Sequence, residues 1–321
     1  MSSVLQGGLN RAAIAPPLPR GPSAEGTVGW LFIAPFLAAY VLLMVWPTLR
    51  GVWLSLHAVD LLSNLGRFIG LKNFLDLAGD EIAVRGFFNT LLFAGLATPL
   101  LVATGLALAL ALNRPGRLPA VLRGIFFGSS VLSVTVVTLI WRLMLRPETG
   151  ALAAGLEAAG LPMASPLHSE WLALPMVAIM TLWWSVGLPM MLFLAALQQI
   201  PADVYEAAAL DDAGPWQRLR YITLPALSRV LVLVAITQVI AQLQVFGQVQ
   251  LLTEGGPNHS TRSLVMVVYE AMFDQWQLGY AAAASQVLTL LLLACLLLQQ
   301  RVARGEERGR AAGHQTTGGR P

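Results

Sequence analysis

Six apolar segments, each about as long as a membrane-spanning helix, dominate this sequence of 321 residues. A helix needs about 20 mostly apolar residues to cross the hydrocarbon core of a bilayer. The segments of that length are Val28–Leu49, Phe87–Leu112, Gly124–Leu145, Trp171–Leu197, Val230–Leu252 and Leu278–Gln300. Only 12% of the residues are charged, against about a quarter in soluble domains. We therefore predict an all-α polytopic membrane protein with about six transmembrane helices.

The two ends of the chain differ from this central region. Residues 1–27 are rich in proline and glycine, and we predict a disordered cytoplasmic N-terminus. Residues 28–300 form the transmembrane domain, and residues 301–321 an arginine-rich, disordered cytoplasmic tail. The first apolar segment has the length of a span and not of a signal-peptide core, so no cleavable signal is expected. The single cysteine, Cys295, excludes an intrachain disulfide.

The distribution of basic residues predicts the orientation in the membrane. With the N-terminus inside, 13 of the 20 basic residues fall on the cytoplasmic side. The short loop Asn113–Ala120, which carries Arg114 and Arg117, is decisive because short loops follow the positive-inside rule best. Both termini are therefore predicted to be cytoplasmic.

The spans contain no aspartate or glutamate, which bears on the energy source. Proton-coupled transporters usually carry intramembrane carboxylates, so a secondary transporter or channel is the weaker alternative. The only lysine, Lys72, stands outside any Walker A pattern, so this chain should not bind a nucleotide that way. No nucleophile–base pair lies within the spans, and the four histidines lack metal-ligand spacing, which argues against an intramembrane enzyme or a metal site.

The predicted cytoplasmic loop 200–225 has a distinctive composition. Asp203 and Glu206 have capping-box spacing, and the run Val204–Ala213 favours a helix. Gly214 is expected to end that helix in a left-handed conformation, and Pro215 to begin a second one. Small alanines permit close approach to a partner, while Glu206 offers a charge. Composition alone is equally consistent with a solvated connecting helix.

The string Glu206-Ala207-Ala208, with Gly214 and Ile222-x-Leu224-Pro225 after it, resembles the "EAA" signature of binding-protein-dependent ABC importer permeases. This resemblance implies the type I importer (MetI-like) permease fold, in which the loop is a coupling helix that docks into a cytoplasmic ATPase subunit. It further implies that Glu206, Ala207, Ala208, Asp211 and Gly214 form the coupling site, with Glu206 binding a basic residue and Gly214 making the turn.

Three further segments are similar to the carbohydrate-uptake branch of that family, the group that includes maltose and glycerol-3-phosphate permeases. They are Phe68–Phe74 with Asn89-Thr90, Trp141–Gly150, and Leu252–Pro257 with Ser260-Thr261. The resemblance implies a non-catalytic subunit of the bacterial inner membrane, without a cofactor or metal of its own. Its expected partners are a second permease subunit, two ATPase subunits that use ATP and magnesium, a periplasmic binding protein and a carbohydrate; nucleic acid is not expected.

Polar residues in the predicted fourth and fifth spans are candidates for a substrate pathway. Gln238 and Gln242 are spaced i,i+4 and so share one helix face. In maltose-like permeases the sugar site lies on these two helices, and the matching positions are Trp184, Gly187, Met190, Gln238 and Gln242. Two alternatives stay open. The glutamines could bond neighbouring helices while the tryptophans pack, and in some permease pairs only one subunit holds a sugar site.

Overall fold

The computed structural model describes residues 24–59, 66–147, 149–158 and 166–317. The chain divides into two units, Met1–Arg50 and Gly51–Pro321. The predicted N-terminal region lies mostly outside the described residues, although a helix already begins at Ala24. The described fold is almost entirely helical, as the composition predicts.

Helices α1 and α2 cover Ala24–Tyr40 and Trp46–Ser55 and are joined by a π-helical turn, Val41–Val45. A short antiparallel hairpin follows, in which β1 (His57–Val59) pairs with β2 (Gly66–Phe68). The next helices are α3 Lys72–Gly79, α4 Glu81–Leu112, α5 Arg117–Ser129, α6 Val134–Met144, α7 Ala151–Ala158, α8 Ala173–Ser185, α9 Gly187–Leu197 and α10 Ala202–Leu210. The last five are α11 Pro215–Arg218, α12 Leu224–Leu243, α13 Gly247–Leu252, α14 Leu264–Phe273 and α15 Leu278–Thr317.

Four helical stretches among the described residues are long and apolar enough to cross a membrane. They are Phe32–Ser55, Glu81–Leu112, Pro215–Leu243 and Leu278–Arg301. Two bent pairs, α5 with α6 and α8 with α9, also pass this test and raise the number of spans to six if each pair is one span. The predicted all-α polytopic architecture is confirmed.

The two bent pairs lie where the sequence predicts the third and fourth spans, Gly124–Leu145 and Trp171–Leu197, as single segments. The α8–α9 bend of 50° follows Ser185, because Pro189 has no N–H to donate to the Ser185 carbonyl. The α5–α6 bend of 99° has no proline. Instead, Ser129 Oγ lies 2.8 Å from the Phe126 carbonyl oxygen and 3.2 Å from each of the Trp183 and Trp184 carbonyl oxygens, so its single proton is shared among them. Ser133 caps α6 by accepting from Val136 N.

Three other boundaries differ from the prediction. The predicted fifth span, 230–252, ends early, because α12 stops at Leu243. At its other end a π-helical turn joins α11 to α12, so the helical stretch begins at Pro215. A further apolar helix, α14, lies between the predicted fifth and sixth spans, and Ser263 Oγ accepts from Met266 N as its N-cap. Helix α15 continues to Thr317 where a disordered tail was predicted, because alanine, arginine and glutamate there favour helix.

Helix α4 packs against two separate hydrophobic clusters, one toward each of its ends. Near its C-terminal end, buried Ala109 belongs to a cluster with Met190 and Phe193 of α9 and Val234 of α12. Nearer its N-terminal end, Phe93 belongs to a second cluster with α6, α8 and α13. The candidate pathway residues therefore lie on helices that pack around α4.

Candidate functional site

The predicted coupling loop forms helix α10, which no part of the described chain covers fully. None of its residues is buried. Leu210 at its C-terminal end is 87% exposed, and Trp216 in the next helix is 68% exposed. Glu206 and Ala207 lie on the exposed face, whereas Ala208 is half-buried. Exposed apolar residues of this kind occur where a protein contacts another protein, a membrane or a ligand. Glu206 and Asp211 form no ion pair with any residue that the structure describes.

In the turn after α10, the left-handed residue is not the glycine that the sequence predicts. Asp212, with φ 53°, adopts the left-handed conformation, whereas Gly214 has φ −68° and ψ 165° and serves as the N-cap of α11. The predicted Asp203 capping box is also wrong: Pro201 is the N-cap of α10. A Cβ at Gly214 would meet only Gln217 Oε1, at 3.7 Å. The described chain does not itself require glycine there, so any such requirement arises from a partner.

Four hydrogen bonds fix this turn to the membrane helix. Arg218 Nε donates to the Ala213 carbonyl at 2.7 Å, and Gly214 N donates to Gln217 Oε1 at 2.7 Å. The Tyr205 hydroxyl bonds Thr223 Oγ1 at 3.0 Å, and the Thr223 hydroxyl also contacts the Arg218 carbonyl at 3.3 Å. Movement of α10 should therefore be transmitted to α12.

We expect Tyr205→Phe to weaken that connection without unfolding the protein. The variant loses one half-buried side-chain hydrogen bond, a cost of about 1 kcal/mol. ATP-driven uptake should fall two- to fivefold in proteoliposomes, with insertion unchanged. Tyr221→Phe is the matched control because Tyr221 is 70% exposed. Equal effects of the two variants would contradict a role for the Tyr205 bond.

Gln238 and Gln242 lie together on the buried face of α12. Each is 5% exposed, and Gln242 Nε2 donates to Gln238 Oε1 at 3.3 Å. Each amide has two N–H donors and a carbonyl acceptor, so this one bond engages only part of either side chain. A ligand that reached the pair could bond the Gln238 amino group or the Gln242 carbonyl oxygen.

The other three candidate residues lie around the α8–α9 bend. Trp184 Nε1 donates to the Leu132 carbonyl at 3.0 Å, which ties the bend to the α5–α6 break. A Cβ at Gly187 would lie 2.7 Å from Phe127 Cα, so glycine permits the close approach of α5. Met190 is fully buried in the cluster with Val234, one turn before Gln238. The structure brings Met190 near the glutamine helix and gives Trp184 and Gly187 packing roles at the bend.

Residues 253–263, which we call the outer loop, and Leu264 after them are hydrogen-bonded to two side chains of α4 that lie far from them in the sequence. Asn89 Nδ2 donates to the carbonyls of His259 and Arg262 at 2.8 and 3.1 Å, and Thr90 Oγ1 accepts from Leu264 N. Arg262 Nη1 pairs with Glu270 Oε2 at 3.1 Å. Burial raises the pKa of Glu270, and the Arg262 charge opposes that rise. The Asn-Thr pair therefore fixes the outer loop onto α4.

The family model described as "Binding-protein-dependent transport system inner membrane component" matches residues 83–308. The chain is 32% identical over 285 residues to the lactose transport system permease protein LacF of Rhizobium radiobacter, covering 86% of this chain and 94% of that protein. It is 30% identical over 285 residues to the trehalose/maltose transport system permease protein MalF of Thermococcus litoralis, covering 87% and 95%.

The fold is also similar to a solved structure. A chain of a bacterial alginate ABC transporter, crystallised with an alginate pentasaccharide-bound periplasmic protein, superposes with a TM-score of 0.76. That match has 22% sequence identity and covers 87% of this chain and 96% of that chain. It supports the MetI-like importer fold that the sequence predicts. The match of the family model to most of the chain places this multi-pass protein of the inner membrane in the family of binding-protein-dependent transport system inner membrane components.

Proposed function

We propose that this chain is a permease subunit of an ATP-binding-cassette importer that moves a carbohydrate into the cytoplasm. The observation that carries the proposal is α10, an exposed helix whose Tyr205 bonds Thr223 just before a membrane helix, and whose Glu206 has no ion-pair partner in the described part of the chain. Such a helix can pass the movement of a partner into the membrane. The names of relatives, which include lactose and trehalose/maltose permease proteins, support a carbohydrate as substrate.

The subunit has no catalytic role in this proposal. ATP and magnesium are used by two separate ATPase subunits, and this chain needs no cofactor or metal. A second, related permease completes the pathway as a heterodimer, since six spans form half of it. A periplasmic protein delivers the carbohydrate on the side of the outer loop, and both termini are cytoplasmic, as the arginine distribution indicates.

The proposal is tested by reconstitution. The permease is co-expressed with the ATPase, second permease and binding-protein genes, purified and placed in proteoliposomes. We expect an ATPase subunit to copurify, and labelled carbohydrate to enter only with both ATP and the binding protein. Uptake driven by an ion gradient without ATP would instead support a secondary transporter. A ligand screen on the binding protein identifies the carbohydrate, because that protein does most of the selecting.

The glutamine pair gives the second test of this function. In Gln238→Met with Gln242→Met, apolar side chains of similar size replace a buried mutual hydrogen bond, a change that is nearly neutral for stability. If the pair touches the substrate, uptake at low carbohydrate concentration should fall at least tenfold while the yield of folded complex is unchanged.

The matched control is Gln299→Met with Gln300→Met, a double change on α15 away from the candidate pathway. Unchanged uptake rate and apparent affinity in the methionine pair, or in Gln238→Ala with Gln242→Ala, would show that the substrate does not bind there. The glutamines would then serve helix packing alone.

A further inference from the structure

A cavity of about 350 Å³ lies between the first turns of α4, the start of α8 and the outer loop. Its polar residues are Arg85, Asn89, Glu170 and Ser260, and its apolar wall includes Leu92, Leu96, Leu174 and Pro175. The α4 members recur at helical spacing, so they share one face. Along that helix the residues that line the cavity change from polar to apolar over roughly 16 Å. This gradient runs from the end of the span toward its middle and matches an amphiphile.

The polar end of the cavity carries both signs of charge. Arg85 Nη2 lies 3.4 Å from Glu170 Oε2, and Asn258 Nδ2 donates to Glu170 Oε1 at 3.2 Å. Both members of the ion pair are nearly half exposed, so the pair itself is weak. A guanidinium has five donors, and a carboxylate has about four acceptor positions. The bonds to described residues use only part of this capacity, so a ligand that has a charge of each sign can bond to the rest.

Ser260 supplies an independent indication of a ligand. It is 7% exposed, and its hydroxyl has no hydrogen-bond partner among the residues that the structure describes. Buried hydroxyl groups are nearly always bonded, because an unpaired one costs free energy. Ser260 is among the residues that line the cavity, and its hydroxyl oxygen is covered, so rotation of the side chain would turn that hydroxyl toward the cavity. An acceptor oxygen of a bound molecule would satisfy it.

Trp171 indicates where the polar end lies relative to the membrane surface. Its side chain is 87% exposed, and it lies two residues before α8, whose apolar residues belong to the fourth span. Tryptophan is enriched where helices leave the hydrocarbon for the headgroup region. This enrichment favours a depth at which the charged residues face lipid headgroups and the leucine wall faces acyl chains.

We propose that this cavity binds one phospholipid with a zwitterionic, primary-ammonium headgroup. The phosphate lies against Arg85 and the Ser260 hydroxyl, the ammonium donates to Glu170, and an acyl chain lies along Leu92 and Leu96. A choline headgroup cannot donate to Glu170, and an anionic headgroup is repelled by it. A free sugar would leave the leucine wall against hydroxyl groups. The proposal does not depend on which substrate is transported.

Native mass spectrometry of the purified importer complex tests the proposal. The complex is incubated with dioleoyl-phosphatidylethanolamine, the matching phosphatidylcholine or the matching phosphatidylglycerol. We expect the ethanolamine lipid to be retained about tenfold more than either other lipid, because charge-assisted hydrogen bonds to both groups are made only with it. Soluble glycerophosphoethanolamine should not compete, since it lacks the chains. Equal retention of the three lipids, or full competition by the soluble headgroup, would overturn the proposal.

Two variants test the named contacts. Glu170→Gln should abolish the preference for ethanolamine, whereas the control Glu254→Gln should keep it. Glu254 is also an exposed outer-loop carboxylate, paired with Arg142 at 3.7 Å. Ser260→Ala should lower retention several-fold without lowering thermal stability, since it removes an unbonded hydroxyl. If Glu170→Gln cannot be purified, the lipid comparison in the unmodified protein and Ser260→Ala decide. Retained preference in Glu170→Gln, or unchanged retention in Ser260→Ala, contradicts the site.

Discussion

Glu206→Lys should abolish ATP-driven uptake while the subunit still inserts into the membrane. Glu206 lies on the exposed face of α10 without a partner in the described chain, so reversal of its charge removes no contact within the subunit. In the docked complex the change would oppose a basic group of the ATPase, and like charges brought together at an interface cost several kcal/mol. We expect loss of uptake and of ATPase copurification together.

The control for this variant is Asp76→Lys, which makes the same charge change at an exposed position on α3. Uptake should persist there. The turn supplies a second comparison, because Gly214→Ala places a Cβ where it meets only an ordinary contact with Gln217. That variant should keep its thermal stability and lose uptake if the ATPase approaches Gly214 closely. Retained uptake in a Glu206→Lys, Gly214→Pro double variant would exclude the proposed coupling loop.

The sequence was sufficient to predict the class of fold and the family, because both depend on features that are local in the chain. Apolar length alone predicts spans, and the order of residues from Glu206 to Pro225 carries the family resemblance. The short helix α14 could also have been predicted, since Ser263 before an apolar run is an N-cap pattern. At 10 residues, α14 is too short to be predicted as a membrane span.

The α5–α6 bend could not be predicted in the same way, because its contacts join distant residues, whereas the α8–α9 bend is marked in the sequence by Pro189. Nothing in the local sequence distinguishes Ser129 from other polar residues of a span. Its hydroxyl contacts the Trp183 and Trp184 carbonyls, which lie more than fifty positions further along the chain. The cavity near Arg85 has the same character. It joins residues of α4, α8 and the outer loop that have no common pattern in the sequence.

Gly187→Ala should cause the largest loss of stability among the substitutions considered. The added Cβ would lie 2.7 Å from Phe127 Cα and would also contact the Phe126 backbone. Backbone atoms of a packed helix cannot move aside as a flexible side chain can, so α5 and the α8–α9 bend would separate. Overpacking of this kind costs about 3 kcal/mol. The melting temperature of the detergent-purified complex should fall by several degrees, as measured by fluorescence-detected size exclusion after heating.

Gly95→Ala is the matched control, since nothing lies within 4 Å of a Cβ at that position in the middle of α4. Alanine favours a helix over glycine by about 0.5–1 kcal/mol, so this variant should melt at the same temperature or slightly higher. Opposite shifts for the two glycines would establish that Gly187 is required for the close approach of α5. A Gly187→Ala protein as stable as its parent would show that the two broken spans are not held together at this point, and that the bend can open without cost during transport.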